Sequence, residues 1–123
     1  VRQRILAYSS DGGATWDEEY FESQLPDPVC QGSILALGTE NGKTLLAHAN
    51  AADPKDRNHL TVKISWDEGK TWPQSIPIDS TSDTKKSSWT AYSDLVLLDR
   101  DTLGILYERD NYQELVFYTF PWR

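Results

Sequence analysis

One eight-residue pattern occurs twice in this chain. Ser9-Ser10-Asp11-Gly12-Gly13-Ala14-Thr15-Trp16 and Ser65-Trp66-Asp67-Glu68-Gly69-Lys70-Thr71-Trp72 share the template S-x-D-x-G-x-T-W. An internal repeat constrains the fold more than any single segment does, because repeated units stack or are arranged radially. Each copy follows a strand-like run, Ile5 to Ser9 and Leu60 to Ser65. In the second run Leu60, Val62 and Ile64 alternate with Thr61 and Lys63, the period of a half-buried strand. The pattern itself reads as a hairpin turn. Gly13 and Gly69 admit the positive φ such a connection needs. Asp11 and Asp67 can accept from the turn's own N–H groups, as in an Asx-turn, and Ser9 and Ser65 can add a hydroxyl bond. Trp16 and Trp72 are expected to fold back and cover the sheet. These residues, with Thr15 and Thr71, are therefore assigned a structural role. An EF-hand loop would need alternating ligands and a closing Glu, which neither copy supplies.

The other segments also read as short strands. Ser33 to Leu37 and Thr44 to His48 flank Gly38-Thr39-Glu40-Asn41-Gly42, a hairpin loop containing Asn-Gly. Trp72 to Ile78 holds Pro73 and Pro77 and reads as an edge strand. Ala91 to Leu98, Leu103 to Glu108 and Leu115 to Phe120 follow, separated by turns at Asp99-Arg100-Asp101 and Asp110-Asn111. No window carries a helical period, so the chain is expected to be all-β. The strands group as two, four and three, which fits four-stranded blades repeated around an axis, a β-propeller. Residue 1 is Val, and a strand-like run begins almost at once. The chain is accordingly expected to be a piece of a longer polypeptide.

Composition narrows the function classes. The 123 residues are 38% hydrophobic with five tryptophans, which suits a packed domain rather than a disordered one. A net charge of −7 argues against binding of duplex nucleic acid, which needs a basic surface. No apolar run is long enough for a membrane-spanning helix. The single Cys, Cys30, excludes an internal disulfide framework and reads as a small buried hydrophobe. His48 and His59 stand at no metal-ligand spacing.

With these features in place, the chain resembles the exo-α-sialidase (neuraminidase) family, six-bladed β-propellers that carry the doubled motif as their Asp-box, or BNR repeat. Four further segments carry the resemblance, in the family's order: Leu25-Pro26-Asp27-Pro28-Val29-Cys30-Gln31-Gly32-Ser33-Ile34-Leu35, Arg57-Asn58-His59-Leu60-Thr61-Val62, Ala91-Tyr92-Ser93-Asp94-Leu95 and Gly104-Ile105-Leu106-Tyr107-Glu108. The resemblance implies an all-β, partial six-bladed propeller of about two and a quarter four-stranded blades. Residues 1–22 would end one blade, 33–78 would form a complete blade and 89–120 most of the last. It implies a C-terminal portion of a retaining glycoside hydrolase that releases terminal sialic acid from glycoconjugates. No metal or organic cofactor would be required. The partners would be sialylated glycans and the remainder of the parent propeller, in a secreted or cell-surface setting.

Carried over position by position, the resemblance makes Tyr92 the nucleophile, Arg57 one arginine for the sialic acid carboxylate, and Glu108 a group that orients a second arginine outside this chain. The chemistry gives reasons for these residue types. A planar guanidinium binds a carboxylate bidentately and stays charged at any working pH. Sialidases are among the retaining glycosidases that attack with Tyr rather than a carboxylate. A carboxylate nucleophile would approach a carbon that already bears a negative group, at a cost of several kcal/mol for charges about 4 Å apart. A phenol approaches neutral and ionises late. Gln31 and Trp89 flank the motifs and are candidates to line a sugar subsite, while Asp94 receives no role. The family's acid/base Asp, its activating Glu and two further arginines are not supplied by these residues, so the segment alone is expected to be inactive. Arg4 is read as opening the first Asp-box strand rather than as a ligand. The alternative reading is a non-catalytic Asp-box propeller that binds glycans through the same surface.

Overall fold

A computed structural model describes residues Val1–Arg123. Nine strands appear in chain order: β1 (Gln3–Leu6), β2 (Tyr20–Pro26), β3 (Ser33–Glu40), β4 (Lys43–Ala51), β5 (Leu60–Ser65), β6 (Gln74–Asp79), β7 (Thr90–Asp99), β8 (Thr102–Arg109) and β9 (Glu114–Pro121). They form three antiparallel sheets, β1-β2, β3-β4-β5-β6 and β7-β8-β9, each strand pairing with its neighbour in sequence. The chain is all-β. Such local pairing needs only short connections.

Several boundaries differ from those the sequence suggests. The β3–β4 hairpin closes over two residues, Asn41 and Gly42, with φ of 52° and 76°. Both central residues of this tight primed turn lie in the left-handed region, where Asn-Gly is favoured, so the ladder runs on through Thr39 and Glu40. β2 runs on to Pro26, with Leu25 held at 1% exposure. β6 starts only at Gln74, past Pro73, and lies at the edge of its sheet, where a missing N–H costs no ladder bond.

The core lies between the second and third sheets. Ala47 and Ala49 of β4 and Leu60, Val62 and Ile64 of β5 are fully buried. They pack with Leu95, Leu103, Ile105, Tyr107 and Phe120 of the third sheet and with Trp122, which follows β9. The two alanines leave room for the opposing large side chains. β7 lies against β3 and β4, so the first strands of these two sheets come together. The opposite face of the third sheet is open: Val96, Leu98, Leu106, Leu115 and Phe117 are all exposed.

Both copies of the repeated motif build the same turn. Ser9 Oγ accepts from the Gly13 N–H at 2.9 Å and donates to Asp11 Oδ1 at 2.8 Å, while Asp11 accepts from the Thr15 N–H and hydroxyl. Ser65, Asp67, Gly69 and Thr71 repeat these bonds with nearly identical lengths. The Thr donors, with the Ser hydroxyl, lower both carboxyl pKa values to about 2. The tryptophans differ, contrary to the expectation that both cover a sheet. Trp72 is 4% exposed, edge-on to His48, but Trp16 is 63% exposed. Trp72 lines one recess with Leu6, Tyr8, Ile34 and Leu46, from the first two sheets, whereas Trp16 follows a turn whose residues 11–15 are all exposed.

Candidate functional site

The residues of interest gather at one end of the second and third sheets. A cleft of about 440 Å³ is lined by Gln31, Tyr92, Ser93, Asp94, Leu106, Tyr107, Glu108 and Leu115. Arg57 stands at its rim, the guanidinium carbon 5.9 Å from the centre of the Tyr92 ring. Tyr92, Arg57 and Glu108 are thus brought together from three separate parts of the chain.

A fault in strand pairing aims Tyr92. Thr90 pairs with Arg109 and Ser93 with Tyr107, so two residues, Ala91 and Tyr92, face the single Glu108. This is a β-bulge, which bends a strand and re-aims its side chains. The Tyr92 N–H, displaced from the ladder, donates to Glu108 Oε1 at 3.0 Å. Ala91 is buried and Tyr92 is 52% exposed, so the phenol faces the cleft.

Arg57 reaches the same place from the loop before β5. Its N–H donates to Ser87 O at 3.1 Å and its carbonyl accepts from the Thr90 N–H at 3.0 Å, which fastens it beside the start of β7. The guanidinium donates from Nη1 to the Tyr112 hydroxyl at 2.8 Å and from Nη2 to Val29 O at 3.4 Å. Partial burial works against its charge, but the Cys30 thiol and the Tyr112 and Tyr92 phenols outweigh it and hold the pKa above the ordinary arginine value. It is a permanent cation on the rim.

Residues 27–32 form the other wall. Arg2 donates to Pro28 O and Arg4 to Cys30 O, the latter also lying 3.3 Å from Asp27. Arg4 is thus a clasp on this loop. Gln31 donates to Ser93 O at 3.0 Å and accepts from the Ser93 N–H at 3.0 Å, extending the β7 ladder with a side-chain amide. Gly32 lets the loop approach, since a Cβ there would lie 2.8 Å from Ala49 O. Cys30 is buried, and burial pushes its thiol pKa up despite the nearby Arg57, which leaves it a poor nucleophile.

Trp89, a candidate to line a sugar subsite, is not among the residues that line the cleft. Its indole N–H donates to Asp79 Oδ1 at 2.9 Å, and Arg109 lies over its ring. Asp79 also accepts from the Tyr107 hydroxyl at 2.6 Å and from Arg109 at 3.2 Å. Burial opposes the Asp79 charge, but these donors lower its pKa. This cluster pins the β7–β8 bulge to the end of β6. Asp79 and Tyr112 carry no motif in the sequence; one ends a Pro-containing edge strand and the other follows a turn.

The chain matches the BNR repeat-like domain family over residues 2–106. It is 37% identical over 109 residues to a sialidase of Bacteroides fragilis, covering 85% of this chain and 19% of that protein. To a sialidase of Micromonospora viridifaciens it is 34% identical over 111 residues, covering 85% of this chain and 16% of that one. The solved structure of Hadza microbial sialidase Hz136 superposes with a TM-score of 0.74 at 30% identity, covering 94% of this chain and 22% of the other. The chain therefore spans about a fifth of the length of these proteins, and with its two Asp-boxes it belongs to the BNR-repeat sialidase family.

Proposed function

We propose that this chain is part of the catalytic propeller of an exo-α-sialidase, a retaining glycoside hydrolase that removes terminal sialic acid from glycoconjugates. In this reading Tyr92 is the nucleophile, Arg57 binds the sugar carboxylate, and Glu108 orients a second arginine contributed from outside these residues. The observation that carries the reading is the approach of the Arg57 guanidinium to the Tyr92 ring, 5.9 Å, at the rim of one cleft. A sugar acid with its carboxylate on the anomeric carbon would be held by the first group and attacked by the second. The carboxylate stays bound while the phenol oxygen forms the bond to that carbon and the glycosidic oxygen leaves. Water then cleaves the tyrosyl intermediate with net retention.

The three sheets would be the end of one blade, one complete blade and most of another in a six-bladed ring. The open apolar face of the third sheet, with Val96, Leu106 and Phe117 exposed, supports this reading, since a neighbouring blade would cover it. The general acid, the activating Glu and the other arginines would come from the remainder of the protein.

The test is an assay of the full-length protein with a fluorogenic sialoside. Turnover is expected, and Tyr92→Phe is expected to reduce kcat by about a thousandfold or more while sialic acid still binds. Binding without turnover in the unaltered protein would instead assign a lectin-like propeller. The 123 residues alone are expected to give no turnover.

A further inference from the structure

Tyr112 follows two other residues with left-handed backbone: Asp110, Asn111 and Tyr112 have φ of 56°, 52° and 67°. Three successive non-glycine residues in that region are unfavourable and persist only where surrounding contacts impose them. Here the contacts are explicit. The Asp110 N–H donates to Trp89 O at 2.9 Å and the Asn111 N–H to Ser88 O at 2.8 Å. Lys86 Nζ pairs with Asp110 at 2.5 Å. The β8–β9 turn is thereby tied to residues 86–89, the same segment that holds the Arg57 backbone through Ser87.

This turn delivers one side chain to the cleft rim. The Tyr112 hydroxyl accepts from Arg57 Nη1 at 2.8 Å and donates to Ser88 Oγ at 3.2 Å. Its ring centre lies 5.9 Å from the guanidinium carbon, the same distance as that of Tyr92. Because the phenol proton is committed to Ser88, the oxygen lone pair faces the cation. Nothing else in the turn needs a tyrosine, which remains 52% exposed and packs no core.

We infer that Tyr112 is a positioning residue for Arg57: it fixes one edge of the guanidinium so that the remaining N–H donors are presented, already oriented, to the substrate carboxylate. This inference rests on the sialidase reading above. An unanchored arginine must lose rotamer freedom on binding its ligand, and an anchored one has lost it beforehand. A carboxylate is present in the ground state and the transition state alike, so the contribution belongs to binding, not to the chemical step.

The experiment compares Tyr112→Phe with the unaltered full-length protein, using a fluorogenic sialoside for kinetics and free sialic acid for calorimetric titration. Phe keeps the ring and removes the hydroxyl. KM and the sialic acid dissociation constant are expected to rise about three- to tenfold, with kcat changed less than about twofold and the melting temperature unchanged. In an Arg57→Lys background the same substitution is expected to weaken sialic acid binding by less than about twofold, since its effect passes through the guanidinium. Unchanged KM, a fall in kcat alone, or the full effect persisting in the Arg57→Lys background overturns the inference while leaving the sialidase reading intact. Absence of both turnover and sialic acid binding in the unaltered protein removes that reading, and the inference with it.

Discussion

The carboxylate of Glu108 accepts the backbone N–H of Tyr92 at 3.0 Å across a bulge where Thr90 and Ser93 are the nearest paired residues of β7. The bulge takes an N–H out of the ladder, and a side chain on the facing strand receives it. A carboxylate has capacity for further donors once one oxygen is used. Glu108 can therefore hold the Tyr92 backbone and still face a cation in the cleft. Glu108→Gln retains an acceptor oxygen, so its denaturation midpoint should match that of the unaltered protein. If the full-length protein is the proposed sialidase, its turnover should fall about tenfold or more, because a neutral amide would hold the proposed second guanidinium less strongly. Full turnover in Glu108→Gln would remove Glu108 as a charge partner.

The two Asp-boxes should contribute unequally to stability. Ser65 is fully buried and its Oγ accepts the Gly69 N–H at 2.8 Å, whereas Ser9 makes the same bond at an exposed turn. Ser65→Ala strands a buried N–H and should cost about 1–3 kcal/mol. Ser9→Ala should cost less than half as much, because water replaces the lost partner. Paired denaturant titrations check this, and equal losses would contradict it.

Stability should fall on mild acidification through His48. Burial, then the nearby Arg4 charge, lowers its pKa to about 4. Its Nδ1 carries the proton that bonds Ser33 O at 3.0 Å, and Nε2 has no partner. The unfolded chain binds a proton near the ordinary pKa of about 6.5, so between 6.5 and 4 the unfolded state holds more protons and stability rises with pH. Going from pH 7 to pH 5 should cost about 2 kcal/mol at most. His48→Gln should flatten this part of the profile; an unchanged slope would assign it elsewhere.

Gly32 should be sensitive although it lies in a loop. A methyl group at this position would stand 2.8 Å from the Ala49 carbonyl oxygen of β4, and backbone cannot move aside as a side chain can. Gly32→Ala should cost about 1–3 kcal/mol and draw Gln31 away from Ser93. Amide exchange at Ser93 should speed up, since its N–H donates to Gln31; unaltered exchange would show that the loop relaxes elsewhere.

Much of this protein was legible in one dimension. The doubled motif, the alternation of Leu60, Val62 and Ile64, and the Asn41-Gly42 turn depend on neighbours within a few residues, and the chemistry of Asp, Gly and Asn is local. The segments around Arg57, Tyr92 and Glu108 were likewise visible as residues of interest. Their meeting was not, because it depends on a two-against-one bulge and on a parallel bridge between Arg57 and Ser88, neither of which leaves a periodic trace. The contrast between Trp16 and Trp72 was also invisible: two copies of one template meet different surroundings. Tyr112 illustrates the division best. Its turn was readable from Asp110-Asn111, but its left-handed backbone and its bond to Arg57 arise from contacts with residues 86–89. Sequence determines which local structures are cheap to form; only packing between sheets decides which side chains those structures bring face to face.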